Sequence, residues 1–373
     1  MNLVFREVTE AQERDAVARL RYRIHVAELG KRPADADHVR EMLVDAHDLD
    51  SVLLAAFDGE APVGTVRLTP GTAITPDSAW WRFYQFDEFR DYGDGARSVT
   101  SRLMVLPELR GTLVAAQLLA MAYQRGRELG TVFNFMHCAP GLVAIHEQMG
   151  FRRYTNGARD PEVGYRIPMV LVADDRSYLS SQRSPFAGLS LKYSSDPRNA
   201  AWFMQRFGTR CGLSTARTLG VARFVELNAE GGGQNRSRAL TGLDDNELAV
   251  VLESAVLHQF EPQFRVLKRG DRGGDLFLIL QGEVTVGANA SSTHSPAAVI
   301  GPGDSFGEYA YLGGNTCGAN VTALAAVTAI SLSQESFGKL QRKHPALAFR
   351  LVLNLALAAS HRFEITHLQE LAA

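Results

Sequence analysis

The run VTSRLMVLPELRGTLVAAQLLAMAYQRGRELGTVFNFMHC, residues 99–138, restricts the fold more than any other stretch. It reads as a strand, a loop carrying proline and glycine, a long helix with one apolar face, and a second strand. The helix is expected to stop at Gly130, because a residue without Cβ accepts the left-handed backbone that closes a helix. A strand, a helix and a strand in this order place the first part of the chain in the α/β class. The flanks agree. RDAVARLRYRIHVAEL has helical spacing, SVLLAAFDG and APVGTVRLTP read as strands joined at Asp-Gly-Glu, and GLVAIHEQMG reads as a short helix.

A chain of 373 residues is expected to form two domains. The alternating pattern fills residues 1–172. Residues 173–239 are turn-rich and read as a linker, with a helix at AAWFMQRFGTRCGL and a flexible segment at AEGGGQNRSR. Residues 240–373 are β-dominated: VLKRGDRGGDLFLILQGEVTVG gives strands around Gly-Asp turns, PAAVIGPGDSFGE and ANVTALAAVTAISLS add more, and helices close the chain.

Composition removes several function classes. Apolar residues are 46% and charged residues 21%, the balance of a soluble protein. A net charge of -2 gives no general pull toward nucleic acid or an anionic membrane. The start, MNLVFREVTE, lacks the apolar core of a secretory signal, and LVLNLALAAS is too short to span a bilayer. Cys138, Cys211 and Cys317 are far apart with no CxxC spacing, which fits a reducing cytoplasm and excludes an ordinary cysteine zinc site.

From about residue 241 to 365 the chain resembles the cyclic nucleotide-binding domain, an eight-stranded β-roll followed by helices. The resemblance rests on LTGLDDNELAVVLESAVLHQF, RGDRGGDLFLILQGEVTV and FGEYAYLGGNTCGANVTA, in that order. It implies a ligand cassette at Gly307, Glu308, Tyr309, Ala310, Cys317 and Gly318, in which the glutamate position accepts from a ribose hydroxyl. Cys317 stands where the family has the arginine that grips the cyclic phosphate. A charge-assisted hydrogen bond contributes about 1.5–3 kcal/mol, so its loss leaves two readings open: a retained ligand, cyclic nucleotide or other, or a roll kept for docking or for a homodimer. A lone Cys317 reads as a small buried hydrophobe rather than a redox switch.

The opening run resembles the central motif of GNAT-fold acyltransferases. The resemblance implies a donor site at Leu103, Met104 and Val105 on a splayed strand, and at the loop Arg110, Gly111, Thr112, Leu113, Val114 and Ala115. Leu113 replaces the usual glycine, a departure that weakens pyrophosphate cradling and suits a donor held on acyl carrier protein, acyl-CoA being the other donor the resemblance implies. AIHEQMGFRRY matches the family's Y-E-K-x-G-F ending and puts His146 where a tyrosine often protonates the leaving thiolate.

Within that fold, LRYRIHVAELGK, DAHDLDSVLLAAFDGEAPVGTVRLTP and SVTSRLMV resemble acyl-homoserine-lactone synthases and long-chain N-acyl amino acid synthases over about residues 15–155. The resemblance implies catalytic roles for Arg21, Asp45, Asp48, Ser101 and Arg102, and sets Arg67 on the family's strand arginine. The family's aromatic positions are His25 and Lys31 here, and its acidic residue two before Ser101 is Val99. The lost carboxylate points away from a lactone product and toward an amino acid or other amine. Asp45 or Asp48 would take the amine's proton, and strand amides at 103–105 would stabilise the oxyanion. His47 lies between the aspartates, but Asp-Ala-His-Asp is too short and common to read as a metal site. Three readings follow: an N-acyltransferase under cyclic-nucleotide-type control, a similarly controlled protein lysine acetyltransferase, and a non-catalytic sensor or scaffold.

Overall fold

The computed structural model describes residues 3–30, 33–139, 142–155, 157–160, 164–211, 221–222, 224–227, 238–270, 275–287, 298–313 and 316–372. The chain divides into two compact units. One holds Met1–His137, Ile145–Thr155 and Pro168–Arg210; the other holds Cys138–Ala144, Asn156–Ile167 and Cys211–Ala373.

The first unit contains β1 (Leu3–Glu7), α1 (Ala11–Tyr22), the hairpin β2 (Ala36–Asp37) and β3 (Met42–Leu43), β4 (Val52–Asp58), β5 (Ala61–Pro70), α2 (Ala79–Phe83), β6 (Arg97–Val105), α3 (Val114–Glu128), β7 (Phe133–Cys138), α4 (Val143–Gln148) and β8 (Arg152–Arg153). With β9 (Ala158–Asp160) and β10 (Gly164–Val172), the sheet order is β1-β4-β5-β6-β7-β10-β8, and β9 pairs with β10. Strand β4 is buried from Leu53 to Phe57, as its unbroken apolar run requires of a strand covered on both faces. The turn between β4 and β5 places Gly59 at φ +62, and α3 ends before Gly130 at φ +85, where the sequence puts its stop.

Helix α3 presses on the sheet at Gly64. A Cβ there would meet Leu118 Cδ1 at 3.1 Å, Val114 Cγ1 at 3.2 Å and the Met104 carbonyl at 3.4 Å. A side chain at 64 would therefore push Leu118 and Val114 of α3 back by a few tenths of an ångström.

Residues 173–210, which read as a connecting segment, carry α5 (Arg176–Ser181), α6 (Phe186–Ser190) and most of α7 (Pro197–Cys211), and belong to the first unit. Their apolar content explains this. Phe203 and Phe207 of α7 are fully buried, with Phe207 stacked on Phe89 at 5.0 Å and Trp202 against Phe133 at 5.4 Å. The glycine-rich stretch 229–237 lies outside the described residues.

In the second unit two four-stranded sheets form the roll. Their elements are α8 (Asp245–Glu253), β11 (Ala255–Phe260), β12 (Arg265–Leu267), β13 (Asp275–Gln281), β14 (Val284–Gly287), β15 (Ala298–Ile300), β16 (Ser305–Phe306), α9 (Glu308–Gly313), β17 (Asn320–Ala323), β18 (Val327–Ser333), α10 (Gln334–Lys343) and α11 (Pro345–Ala372). The sheet orders are β11-β18-β13-β16 and β12-β17-β14-β15. The core joins Leu276, Leu278 and Leu280 of β13 to Leu351 and Leu355 of α11. Among the described residues no helix is long and apolar enough to cross a membrane.

Gly64→Val should strain the α3–β5 contact and lower the stability of the full chain by about 2 kcal/mol. A fall in the thermal unfolding midpoint checks this.

Candidate active site

The turn that follows β3 organises the charged residues of the first unit. Asp45 caps a single 3₁₀ turn, Ala46–Asp48: its side chain accepts from His47 N at 3.0 Å, and Asp48 Oδ2 accepts from Asp45 N at 2.9 Å. This reciprocal cap holds both carboxylates through backbone N–H groups, independently of the cations that meet them. Arg21 Nη1 then donates to Asp48 Oδ1 at 2.7 Å, and Arg67 Nη1 donates to Asp48 Oδ1 at 3.0 Å and also to Asp45 Oδ1. Arg67 Nε donates to Ser101 Oγ at 3.1 Å. Arg102 reaches Asp45 Oδ2 with Nη2 at 2.6 Å and Nε at 3.1 Å. The structure thus brings together Arg21, Asp45, Asp48, Ser101 and Arg102, with Arg67 at the centre.

Arg21 and Arg67 are 2% and 1% exposed. Burial raises both carboxyl pKa values, but the adjacent guanidiniums outweigh it and hold Asp45 and Asp48 below the usual carboxylate range. The three arginines outnumber the two aspartates, so these five side chains carry one net positive charge. Arg21 Nε and Nη2 are buried with no hydrogen-bond partner among the described residues.

Arg102 reaches the cluster because β6 is bulged. Thr65 faces Met104 and Arg67 faces Ser101, so one extra residue lies on β6, and Arg102 adopts φ +53. Such a bulge turns a strand and re-aims its side chains. On its other edge β6 pairs in parallel with β7 from Arg97 to Val99 only, although both strands run on. Asn134 sits at this parting, with its Nδ2 donating to Ser98 Oγ at 2.7 Å and its Oδ1 accepting from Thr100 Oγ1 at 2.9 Å. Leu103, Met104 and Val105 follow the parting. Val99 is fully buried at the end of the ladder.

The donor loop is anchored from below. Beyond α1 the helix widens to a π-turn, Arg23–Glu28, which contains His25 and ends on Glu28. Arg110 donates from Nη1 and Nη2 to the two Glu28 carboxylate oxygens at 2.6 and 2.8 Å, and from Nε to the Val105 carbonyl at 3.1 Å. Gly111 takes φ +80, Thr112 Oγ1 donates to the Leu109 carbonyl at 2.6 Å, and the exposed Leu113 caps α3 ahead of Val114 and Ala115. Lys31 lies outside the described residues.

An aromatic path leaves the cluster on the other side. The His47 ring stacks on Trp80 of α2 at 3.9 Å and 15°, Trp80 meets Tyr84 edge-on at 6.1 Å, and the Tyr84 hydroxyl bonds to His137 Nδ1 at 2.8 Å. His146 is buried as well. Burial, with His137 nearby, lowers its pKa to about 4, so it is neutral at pH 7 and holds no imidazolium proton to give. Nothing in the family motifs marks Trp80, Tyr84, His137, Asn134 or Glu28. A polar asparagine inside the apolar strand TVFNFMHC was the one available signal.

In the second unit the cassette sits where β16 meets α9. Gly307 takes φ +88, and a Cβ there would lie 2.5 Å from the Asp275 carbonyl, so glycine is required. Glu308 begins α9, Ala310 is buried, and the exposed Tyr309 ring lies near Gly318. Cys317 is buried, and its carbonyl accepts from Gly270 N at 2.8 Å. Gln334 Nε2 donates to the Tyr311 carbonyl at 2.7 Å and ties α9 to α10. Burial pushes Asp275 up to about 6 against the pull of Arg166.

Residues 16–175 match the family model of the N-acyl amino acid synthase FeeM, and residues 257–344 match that of the cyclic nucleotide-binding domain. The chain joins an N-acyl amino acid synthase domain to a cyclic nucleotide-binding domain. Glutaminase 2 of Bradyrhizobium diazoefficiens is 31% identical over 123 residues, which are 33% of this chain and 19% of that protein. The chain therefore spans about a fifth of that relative's length. Similar solved structures include FeeM from uncultured soil microbes, with 17% identity, 50% of this chain and 98% of that one covered, and a TM-score of 0.40. The CoA-dependent acyl-homoserine lactone synthase BjaI, with SAM and isopentyl-CoA, has 18% identity, coverages of 54% and 100%, and a TM-score of 0.39. The Thermus thermophilus catabolite activator protein has 24% identity, coverages of 36% and 61%, and a TM-score of 0.32.

Two outcomes test the electrostatics of these domains. In the synthase domain, Asp48→Asn leaves Arg21 buried without its carboxylate and is expected to cost about 3 kcal/mol in stability, measured by denaturant unfolding. In the nucleotide-binding domain, Asp275 titrates near 6 when folded and about 3.9 when unfolded. Between those values the folded state keeps a proton that the unfolded state has lost, so this group's stabilisation declines as pH rises. Asp275→Asn should therefore melt above wild type at about pH 7 and level with it near pH 4.

Proposed function

We propose that the synthase domain transfers an acyl group from a thioester to the amine of an acceptor that also carries a carboxylate, such as an amino acid, under control of the nucleotide-binding domain. The observation that carries this reading is the imbalance of the buried cluster. Three guanidiniums face two carboxylates, and Arg21 keeps two buried N–H-bearing nitrogens unpartnered. A carboxylate is the group that would complete both the charge and the hydrogen bonding. A protein lysine would bring a further cation with no carboxylate beside it.

The parting of β6 and β7 supports a thioester carbonyl at Leu103–Val105, where strand amides without a β7 partner would receive the developing oxyanion. Arg110 is committed to Glu28 and Val105, and Leu113 replaces a glycine, so the loop offers no uncommitted cation to a pyrophosphate. This favours a donor on acyl carrier protein over free acyl-CoA. In the second domain the Gln334–Tyr311 bond supplies a direct link from the cassette helix to the helices behind it, through which a ligand would act.

Full-length protein supplied with acyl carrier protein or CoA thioesters, from acetyl to palmitoyl, and a mixture of amino acids should yield an N-acyl amino acid by mass spectrometry. Amino acid methyl esters should react roughly ten- to a hundredfold more slowly. Equal rates would remove the carboxylate from the reading. A rate unchanged by millimolar cAMP and cGMP would remove those two as the regulating ligands.

A further inference from the structure

Every carboxylate oxygen in the cluster is engaged. Asp45 Oδ1 accepts from Arg67 and His47 N, and Asp45 Oδ2 accepts twice from Arg102; Asp48 Oδ1 accepts from Arg21 and Arg67, and Asp48 Oδ2 from Asp45 N. Carboxylates held this way lie below the ordinary range and are weak bases. The amine of an amino acid is an ammonium near neutral pH and must lose a proton before it can attack a thioester. The residues expected to remove that proton are thus unsuited to the task.

One neighbouring group is suited. His47 stands on the same turn, its backbone bonded to Asp45 and its carbonyl accepting from Ser51 Oγ. Its ring is half-buried, held flat against Trp80, and neither ring nitrogen hydrogen-bonds to a described residue. Stacking on Trp80 fixes the plane of the imidazole, and both nitrogens lie in that plane. We infer that His47 is the general base that takes the proton from the acceptor's ammonium. This rests on the N-acyl transfer proposed above.

The proton balance is complete. His47 accepts the first N–H proton and releases it to water. The freed lone pair forms the N–C bond at the thioester carbonyl, and the C–S bond breaks with its electrons on sulfur. The second N–H proton neutralises the thiolate. The groups facing His47 are Asp45 and Asp48 on its own turn, Arg67 on β5 and Arg102 on β6, with uncharged Trp80 on α2. Burial lowers its pKa and the two arginines reinforce this against the two aspartates, so the ring is neutral and able to accept at pH 7.

The test compares kcat/KM across pH for the full chain and for His47→Phe, which keeps a ring against Trp80 but has no proton acceptor. His47→Gln serves as a second variant, and the assay uses the thioester series and amino acid mixture named above. Wild type should show an acid limb below the ordinary histidine pKa of about 6.5. His47→Phe should lose roughly a hundredfold near neutrality, with the deficit shrinking as pH passes the pKa of the acceptor amine. A uniform loss at every pH, or full activity in His47→Phe, would overturn the assignment. Nuclear magnetic resonance titration of His47 gives an independent reading: an imidazole cationic at pH 7 overturns the base without touching the transfer reaction. If wild type makes no product from any donor, acyl transfer itself fails and the base falls with it.

Discussion

Five charges shut away from water at the bend of β6 set the terms for the first unit. Ionised groups in such a place are stable only when each is met by an opposite charge at short range and in good geometry. Much of the local structure serves that requirement. The reciprocal cap at Asp45 and Asp48 fixes the acceptors, and the bulge in β6 delivers Arg102. Arg67 arrives from the middle of β5, where the sheet holds it in register with Ser101. A cluster of this kind is a poor source of stability but a strict source of shape, because a small displacement of any member leaves another uncompensated.

The same packing explains why proton transfer and charge balance fall to different residues. The aspartates are made unreactive by the contacts that keep them ionised. The imidazole between them is shifted in the useful direction first by burial, with the same arginines reinforcing it against the aspartates. Position 47 therefore acquires a chemical character that its sequence neighbours do not advertise.

How much could be read in advance follows from the range of each interaction. The helix stop at Gly130, the Asp58–Gly59 turn and the strand runs depend on neighbouring residues, and the chain states them openly. Arg21, Asp45, Asp48, Ser101 and Arg102 were legible through their order and spacing. What stayed hidden depends on tertiary contact. Trp80 approaches His47 across 33 residues (80 − 47). The burial that neutralises His146 has no local signature, and residues 173–210 looked like a connection because their polar turns masked the apolar face of α7. In the second unit the cassette glycine was plain. The burial of Cys317 was legible as well, whereas the aromatic socket formed by His258, Phe260, Phe264 and Phe277 around Tyr165 came only with the fold.

Arg102 answers to two demands at once. Its backbone occupies the left-handed region, where glycine or asparagine would be at ease, while its side chain must carry a planar cation to Asp45. No other amino acid meets both. Glycine would relax the chain and empty the pairing site, and lysine would keep the charge but lose the two-pronged grip on Asp45. Any replacement of this arginine would therefore either strain or rebuild the bulge, or leave Asp45 without the cation that grips it.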